Sequence, residues 1–324
     1  MLTTEDGMAG ALSQLRSPGG ASVTRRSGTA QRGSGKPMIG PKGRFRIASG
    51  SKPIIAATVL RLADQKKIDL DAPVERYLPR VLRGTGDGAA IDGRKITVRM
   101  LLQQTSGLPE YVNAIEWKEP FPDFLQVALR LKPTPRGSFA YANTNYLVLG
   151  MIVTKVTGKD FRRASRDLIL KPYGMRDTYW PAKDDYGIRG PHAHTYGVHP
   201  ARPQDGEMDL TDQLPTYEFG ASGGLVSTPE DLNRFWSQVP LGTMMTRTVK
   251  VEQEGWPAGA RYGYGVVRMK TSCGYAYFAA GDMPGAAVFS GRDRAGRTAA
   301  VYTTGVPKNR QHLIDAFIAA MCDR

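Results

Sequence analysis

A serine and a lysine three residues apart carry the clearest chemistry in this sequence. Ser49 and Lys52 lie in the run Ser49-Gly50-Ser51-Lys52, at a predicted junction between a strand and a helix. Residues three apart on a helix share one face, so the hydroxyl and the amine can meet. A serine attacks a carbonyl only when a base removes its proton, and a desolvated lysine can be that base. The run therefore predicts Ser49 as a nucleophile and Lys52 as its partner.

A tyrosine and an asparagine two residues apart form a second candidate element. The phenol of Tyr141 could pass a proton to a leaving group, and the amide of Asn143 could hold a substrate amide. Tyr111 and Asn113 satisfy the same Tyr-x-Asn pattern. The residues alone leave both pairs open.

A different nucleophile is offered by the run at residues 220–224. It reads Gly-x-Ser-x-Gly around Ser222, and Asp282 and His312 follow in the chain order of an α/β-hydrolase triad. That motif needs a helix directly after the serine, but two glycines and the strand-like LVST follow instead. The pattern disfavours Ser222.

Three histidines lie close together in the chain at His192, His194 and His199. Alternate residues of a strand face one way, but no cysteine or suitably spaced carboxylate completes a metal site. We therefore predict loop histidines, with no metal and no cofactor.

Composition narrows the class of protein. The chain has 324 residues, of which 41% are hydrophobic, enough for one large domain or two smaller ones to bury a core. The net charge is +14, but no arginine-rich helix or zinc-finger spacing accompanies it, so no nucleic-acid partner is expected. No apolar run reaches the roughly 18 residues of a membrane span. The opening MLTTEDGMAGALSQL lacks the basic and apolar regions of a signal peptide.

The hydrophobic patterns predict an α+β fold. A helix is expected at the start, then strands at ASVTRR and GTAQRG, and a helix from Lys52. Helices and loops follow, and GGLVST, YGYGVVRM, YAYFAA, AAVFSG and TAAVYTT are typical of strands. An amphipathic helix closes the chain at residues 311–321. We predict a discontinuous sheet-containing domain at 1–65 and 215–324, with a mostly helical domain inserted at 66–214.

Two cysteines remain, Cys273 in a strand-like stretch and Cys322 at the end of the last helix. A disulfide would close a loop of about 50 residues and, in the chain-entropy model, stabilise the fold by about 4 kcal/mol. Two unpaired buried thiols are the alternative. The spacing leaves both open.

Several long segments resemble the serine β-lactamase and penicillin-binding family. They cover about residues 20 to 320 and are FRIASGSKPIIAATVLRLADQKKIDLDAPVERYLP, ITVRMLLQQTSGLPEY, FAYANTNYLVLGMIVTKVTGKDF, GASGGLVSTPEDLNRF, HAHTYG and GDMPG. The stretch YGYGVVRMKTSCG most resembles soluble, secreted D-alanyl-D-alanine carboxypeptidases. The resemblance implies the family's antiparallel sheet flanked by terminal helices with an inserted helical domain. It also selects Tyr141 and Asn143, and favours a Cys273–Cys322 disulfide and an exported protein.

One motif departs from that family. Its members carry Lys-Thr-Gly or His-x-Gly on a strand beside the site, where the cation steers a substrate carboxylate. Here Gly281 fits the glycine, so Ala279 stands where the cation should be. An alanine can neither attract a carboxylate nor transfer a proton. Arg268, on the neighbouring predicted strand, is the expected replacement.

Two functions follow from these residues and the resemblance. The first is a serine acyl-enzyme hydrolase acting on a D-amino-acid peptide or a related ester or amide, with β-lactams as covalent ligands. Ser49, Lys52 and Tyr141 would do the chemistry, and Asn143, Gly281 and Arg268 would hold the substrate. The second is a catalytically impaired relative that binds a cell-wall polymer or peptide. A monomer is expected in either case.

Overall fold

The longer strands lie near the two ends of the chain, and those from residue 45 to residue 262 have only two or three residues each. The computed structural model describes residues 1–322. Its strands are β1 (Gly10–Arg16), β2 (Ser22–Gly28), β3 (Phe45–Arg46), β4 (Tyr196–Val198), β5 (Glu207–Asp209), β6 (Val226–Ser227), β7 (Val249–Lys250), β8 (Arg261–Tyr262), β9 (Val267–Thr271), β10 (Gly274–Met283), β11 (Ala286–Asp293) and β12 (Thr298–Thr303).

The main sheet joins the two ends of the chain. Its strand order is β2-β1-β12-β11-β10-β9-β8-β7, and every neighbouring pair is antiparallel. The first strand therefore pairs with the last, with Ala11 opposite Thr303. The predicted α+β class with an antiparallel sheet is confirmed.

Helices fill the middle of the chain and cover the sheet. They are α1 (Lys52–Asp64), α2 (Val98–Leu102), α3 (Phe124–Ala128), α4 (Asn143–Thr157), α5 (Phe161–Ser165), α6 (Gly220–Gly223), α7 (Pro229–Gln238), α8 (Leu241–Met244) and α9 (Arg310–Cys322). One core cluster packs α1 and α4 against α7 and the inner face of the sheet. A second cluster lies between the sheet and α9, centred on Phe278, Phe289 and Phe317.

Helix α1 is the central helix of this arrangement. Pro53 lies in the first turn of α1 and suits a helix start. Its ring holds φ near the helical value, and a backbone N–H at this position would have no acceptor within the helix, so its absence costs nothing. Ile54, Ile55 and Val59 are fully buried. A helix that is apolar nearly all round belongs inside a protein. The residues at its N-terminus are therefore carried into the interior.

The helix predicted at the start of the chain is wrong. Residues Gly10–Arg16 form β1, which pairs with β2 on one side and β12 on the other. Leu12 and Gln14 are buried. The pairing with β12, which lies at the other end of the chain, overrides the helical spacing of these residues. A short stretch of sequence does not contain that partner. The GTAQRG segment contributes only its first residue, Gly28, to a strand, the end of β2, and Thr29 makes an isolated bridge with Pro37.

The two cysteines are joined. A disulfide links Cys273, in the turn between β9 and β10, to Cys322 at the end of α9. It fastens the last helix to the sheet, as the resemblance implied. The division into domains at 65/66 and 214/215 stays a prediction. No helix among residues 1–322 is both long and apolar enough to cross a membrane.

Candidate active site

Ser49 lies in a tight turn directly before α1. Residues Ala48–Ser51 form one turn of 3-10 helix. Ala48 has a φ of +43°, a left-handed conformation that costs energy for a residue other than glycine. Such strain persists only where the surroundings impose it, and here β10 and the buried start of α1 enclose the turn. The turn presents the Ser49 side chain to a cleft.

Two side chains converge on the Ser49 hydroxyl. The Nζ of Lys52 donates to Ser49 Oγ at 2.9 Å, and the hydroxyl of Tyr141 donates to the same oxygen at 2.8 Å. Lys52 comes from the same helix turn as Ser49, while Tyr141 arrives from just before α4. These are the distances that proton transfer to and from a nucleophile requires.

The Lys52 ammonium is buried but well partnered. Its Nζ donates to Asn143 Oδ1 at 2.6 Å and to the Ser222 carbonyl at 2.7 Å. Burial lowers its pKa to about 7, although the nearby Glu110 carboxylate acts in the opposite direction. Near neutral pH a substantial fraction of Lys52 is therefore uncharged and able to accept the proton of Ser49.

Tyr141 is suited to donating a hydrogen bond to Ser49. Burial raises the pKa of its phenol well above the usual value, so it stays protonated at neutral pH. Its ring packs against Trp256, with 5.6 Å between the ring centroids, and lies 4.9 Å from Lys52 Nζ. The two pKa shifts suit Lys52 to accept a proton and Tyr141 to donate a hydrogen bond.

Asn143 is held in one orientation by Glu110. The backbone N–H and side-chain Nδ2 of Asn143 donate to Glu110 Oε2 at 2.7 and 3.0 Å. An amide that donates to a carboxylate on one side and accepts from an ammonium on the other has only one assignment of its O and N atoms. Sequence reasoning missed Glu110, although the residue lies next to the end of one of the segments that carried the resemblance.

Gly281 is where β10 touches the nucleophile turn. A Cβ at this position would stand 2.1 Å from the Ile47 carbonyl oxygen and 3.0 Å from the Ser49 nitrogen. Only glycine lets β10 come this close to the turn at Ala48–Ser51. A glycine is also what the sequence motif predicts at this position. Ala279 lies two residues earlier on the same face of β10. Its buried methyl group, 6% exposed, therefore occupies the position predicted for a cation.

The cleft in front of Ser49 has a volume of about 400 Å³. Its lining includes the predicted residues Ser49, Lys52, Tyr141 and Asn143, together with Gln253, Glu254, Trp256, Tyr262, Ala279, Ala280, Asp282 and Arg310. A smaller pocket of about 130 Å³ shares Ser49 and Asn143 and has aromatic walls from Trp117 and Phe219. The Ser49 hydroxyl thus lies between the larger cleft and the smaller aromatic pocket. A substrate could place the groups on either side of its reacting carbonyl in these two spaces.

The structure does not bring Arg268 into this cleft. Its guanidinium lies over the ring of Tyr275, 4.8 Å from the centroid, and it is not part of the lining. The arginine that does line the cleft is Arg310, the first residue of α9, which forms an ion pair with Asp282. Sequence reasoning missed this pair because nothing in the chain order places α9 beside Ser49.

The competing motifs are not assembled. Ser222 is buried and donates to the Phe219 carbonyl at 2.7 Å, while His312 pairs with Asp6 through a 2.9 Å contact. Asp282 pairs with Arg310, so Ser222, Asp282 and His312 do not form the triad that their chain order suggested. Tyr111 of the second Tyr-x-Asn run is buried against Ser222 rather than at the cleft.

The three histidines lie apart from the cleft lining. His194 Nδ1 lies 2.6 Å from Asp209 Oδ2. Within the described range, 1–322, no group of three or more His, Cys, Asp or Glu side chains is placed to hold a metal ion.

Comparison with known proteins gives these residues a family context. A family profile described as beta-lactamase matches residues 7–320. Esterase EstB of Burkholderia gladioli is 30% identical over 217 residues, covering 61% of this chain and 54% of that protein. The putative penicillin-binding protein PbpX of Bacillus subtilis is 23% identical over 281 residues, covering 83% and 64%. The chain thus spans between about half and two thirds of the length of these relatives.

Solved structures extend the likeness over the whole chain. A D-stereospecific amidohydrolase from Streptomyces superposes with a TM-score of 0.84 at 28% identity, covering 99% of this chain and 97% of that one. A D-amino acid amidase from Ochrobactrum anthropi, complexed with L-phenylalanine amide, has a TM-score of 0.79 at 25% identity, covering 97% and 93%. The profile match shows that the chain belongs to the beta-lactamase family, and the likenesses relate it to the penicillin-binding proteins.

Proposed function

We propose that this protein hydrolyses an amide or ester bond of a D-amino-acid-containing substrate through an acyl-enzyme on Ser49. The observation that carries the proposal is the convergence of Lys52 Nζ and the Tyr141 hydroxyl on Ser49 Oγ, at 2.9 and 2.8 Å. A serine with a base on one side and a proton donor on the other is equipped for acyl transfer.

The first half of the reaction forms the acyl-enzyme. Neutral Lys52 accepts the proton of Ser49, and Oγ attacks the substrate carbonyl to form a tetrahedral oxyanion. The Ser49 N–H and an N–H from β10 near Gly281 stabilise that oxyanion. The proton passes through the Lys52 and Tyr141 network to the leaving amine or alcohol, and the C–N or C–O bond breaks.

The second half restores the serine. Water replaces the leaving group and gives its proton to Lys52. Its oxygen attacks the acyl carbonyl, and Ser49 leaves with a proton returned through the same network. Asn143 orients both the Lys52 ammonium and the substrate amide, and Glu110 in turn orients Asn143. Neither half needs a cofactor.

The substrate class comes from the similar proteins and from the cleft. The D-stereospecific amidohydrolase and the D-amino acid amidase act on D-amino acid derivatives by their names, and the B. gladioli relative is an esterase. The aromatic pocket beside Ser49 suits an apolar side chain, and the larger cleft takes the rest of the substrate. Secretion and a monomeric state remain predictions.

Intact-mass spectrometry tests the nucleophile. The protein is incubated with a penicillin and, separately, with an activated ester of a D-amino acid. We expect one adduct that maps to Ser49. It should be absent in Ser49→Ala and still on Ser49 in Ser222→Ala, which removes the competing hydroxyl. Hydrolysis that survives Ser49→Ala would refute the mechanism.

A binding protein without turnover is the second candidate, and Ala279 is the observation that favours it. The position is occupied by a buried methyl group instead of a cation. Affinity for a peptide or cell-wall polymer that is equal in wild type and Ser49→Ala, with turnover in neither, would support this candidate. Turnover that requires Ser49 would exclude it, and a large gain of carboxypeptidase activity in Ala279→His would mean that this chain has diverged from that reaction.

A further inference from the structure

An ion pair from two distant parts of the chain borders the active-site cleft. Asp282 lies near the end of β10, next to Gly281, and Arg310 is the first residue of α9. Their side chains form a salt bridge, and both line the cleft that contains Ser49. Asp282 also borders the smaller aromatic pocket. The pair therefore borders the same cleft as Ser49.

Arg310 is the permanent cation of this cleft. Among the described residues that line it, the other basic side chain is Lys52. Lys52 Nζ is already engaged by Ser49, Asn143 and the Ser222 carbonyl. An arginine stays charged at any physiological pH and binds carboxylates through its planar fork. A substrate carboxylate in the cleft therefore has one cationic partner outside the Ser49 hydrogen-bond network, Arg310.

That partner is already taken. The Asp282 carboxylate is held beside Arg310 by the fold, so it competes with any incoming carboxylate without losing translational freedom. The incoming group would also meet the like charge of Asp282. A substrate with an uncharged leaving group meets neither obstacle. Ala279, on the face of β10 that meets the nucleophile turn, contributes no second cation.

We propose that the Asp282–Arg310 pair sets the specificity of the cleft: it selects substrates whose leaving group is uncharged, and Arg310 is a carboxylate-binding residue that Asp282 keeps occupied. This inference rests on the proposed hydrolase function and refines it. It places amides and esters of D-amino acids ahead of peptides that end in a free carboxylate.

Two matched thioesters test the proposal in the full chain. Both carry the same N-acyl-D-alanyl group, one with thioglycolate as leaving group and the other with its methyl ester. The readout is the ratio of kcat/KM for the carboxylate probe to that for the neutral probe. Because each variant is compared with wild type through this ratio, differences in the intrinsic reactivity of the two thiols cancel.

The charges predict how the kcat/KM ratio should order wild type and three variants. Asp282→Asn is nearly isosteric and frees Arg310. Because the Arg310 side chain is 62% exposed and its charge is screened by solvent, we expect the ratio to rise about two- to fivefold. Arg310→Gln leaves Asp282 alone in the cleft, so the ratio should fall below that of wild type. In Asp282→Asn combined with Arg310→Gln, the gain should disappear. The neutral probe shows in every variant that the protein is folded and that Ser49 reacts.

Glu254→Gln is the control for net charge. Glu254 is another acidic residue lining the same cleft, and its substitution removes one negative charge without freeing Arg310. A gain in Glu254→Gln as large as in Asp282→Asn would overturn the proposal, as would a ratio unchanged in Asp282→Asn or a gain that persists in the double variant. If thiol release from both probes survives Ser49→Ala, the proposed function fails and this inference with it. If Ser49 is required and the ratios do not move, the specificity inference alone is refuted.

Discussion

The two sides of the active site are built in different ways. On the nucleophile side, Ser49 and Lys52 belong to one helix turn, and the chain between them has no freedom to separate the two groups. On the opposite side, Ala279, Asp282 and Arg310 come from a strand and from a helix that begins after another strand. The first side depends on local geometry, and the second depends on the packing of α9 against the sheet.

This difference separates chemistry from specificity. The proposed nucleophile, base and hydrogen-bond donor, Ser49, Lys52 and Tyr141, lie in segments that resemble the family, and Lys52 contacts both Ser49 and Asn143. The far wall has a methyl group at Ala279, where the resemblance implies a cation, and it carries the Asp282–Arg310 ion pair. A protein can keep acyl transfer and change its substrate when the two depend on separate elements. Four predictions test that separation.

The largest effect should come from the base. Lys52→Met keeps the length of the side chain and removes the amine, so we expect kcat/KM on an activated ester to fall by about 10²–10⁴, the usual contribution of a general base. The surface substitution Lys67→Met is the control and should leave kcat/KM unchanged. A loss below threefold in Lys52→Met would mean that another group deprotonates Ser49.

Removing the Cys273–Cys322 disulfide tests the side of the active site that is formed by β10 and α9. Cys273→Ser combined with Cys322→Ser opens a loop spanning 49 positions, and the chain-entropy model gives a loss of about 4 kcal/mol in unfolding free energy. Denaturant unfolding of oxidised wild type, reduced wild type and the double variant measures it. At temperatures where the variant is folded, acylation of Ser49 should persist, because α1 and α4 hold the nucleophile without α9. An equal stability in all three would show that the link contributes nothing.

The contact between the two sides is tested at Gly281. In Gly281→Ala the added methyl group meets backbone atoms of the nucleophile turn. Overpacking of this kind costs about 1–3 kcal/mol, and it should displace the strand that borders Ser49. We expect a lower unfolding midpoint together with slower acylation. Gly40→Ala is the matched control, because a Cβ there has no atom within 4 Å. Equal behaviour of the two variants would contradict the close approach.

The smallest effect should be a shift in pH dependence. The pKa of Lys52 is lowered to about 7 by burial, and the neutral amine is the base. Activity should therefore fall below about pH 7 as Lys52 gains a proton, and rise as pH increases through that value. Glu110 opposes the shift, so Glu110→Gln should lower the pKa of Lys52 further and move the rise in kcat/KM to lower pH. The exposed Glu116→Gln should leave the profile in place, and a shift to higher pH in Glu110→Gln would contradict this account.

Local patterns were enough for much of the fold. The helix at Lys52 and the strands from β9 to β12 have periodicities that a short window detects. The error at β1 has a physical cause, because Gly10–Arg16 is a strand only in the presence of β12, which lies at the other end of the chain. Propensity describes a segment alone, and strand pairing depends on a partner.

By itself the sequence determined the identity and order of the chemical groups. The spacing of Ser49 and Lys52 predicts their contact, since a helix turn brings residues three apart together. Tertiary structure alone decided which arginine enters the cleft. Arg268 and Arg310 are equally charged in the sequence, but the guanidinium of one lies over Tyr275, while α9 carries the other to Asp282. The reason is that a helix turn is set by bonded geometry, whereas the meeting of β10 and α9 depends on how the sheet, the last helix and the disulfide pack.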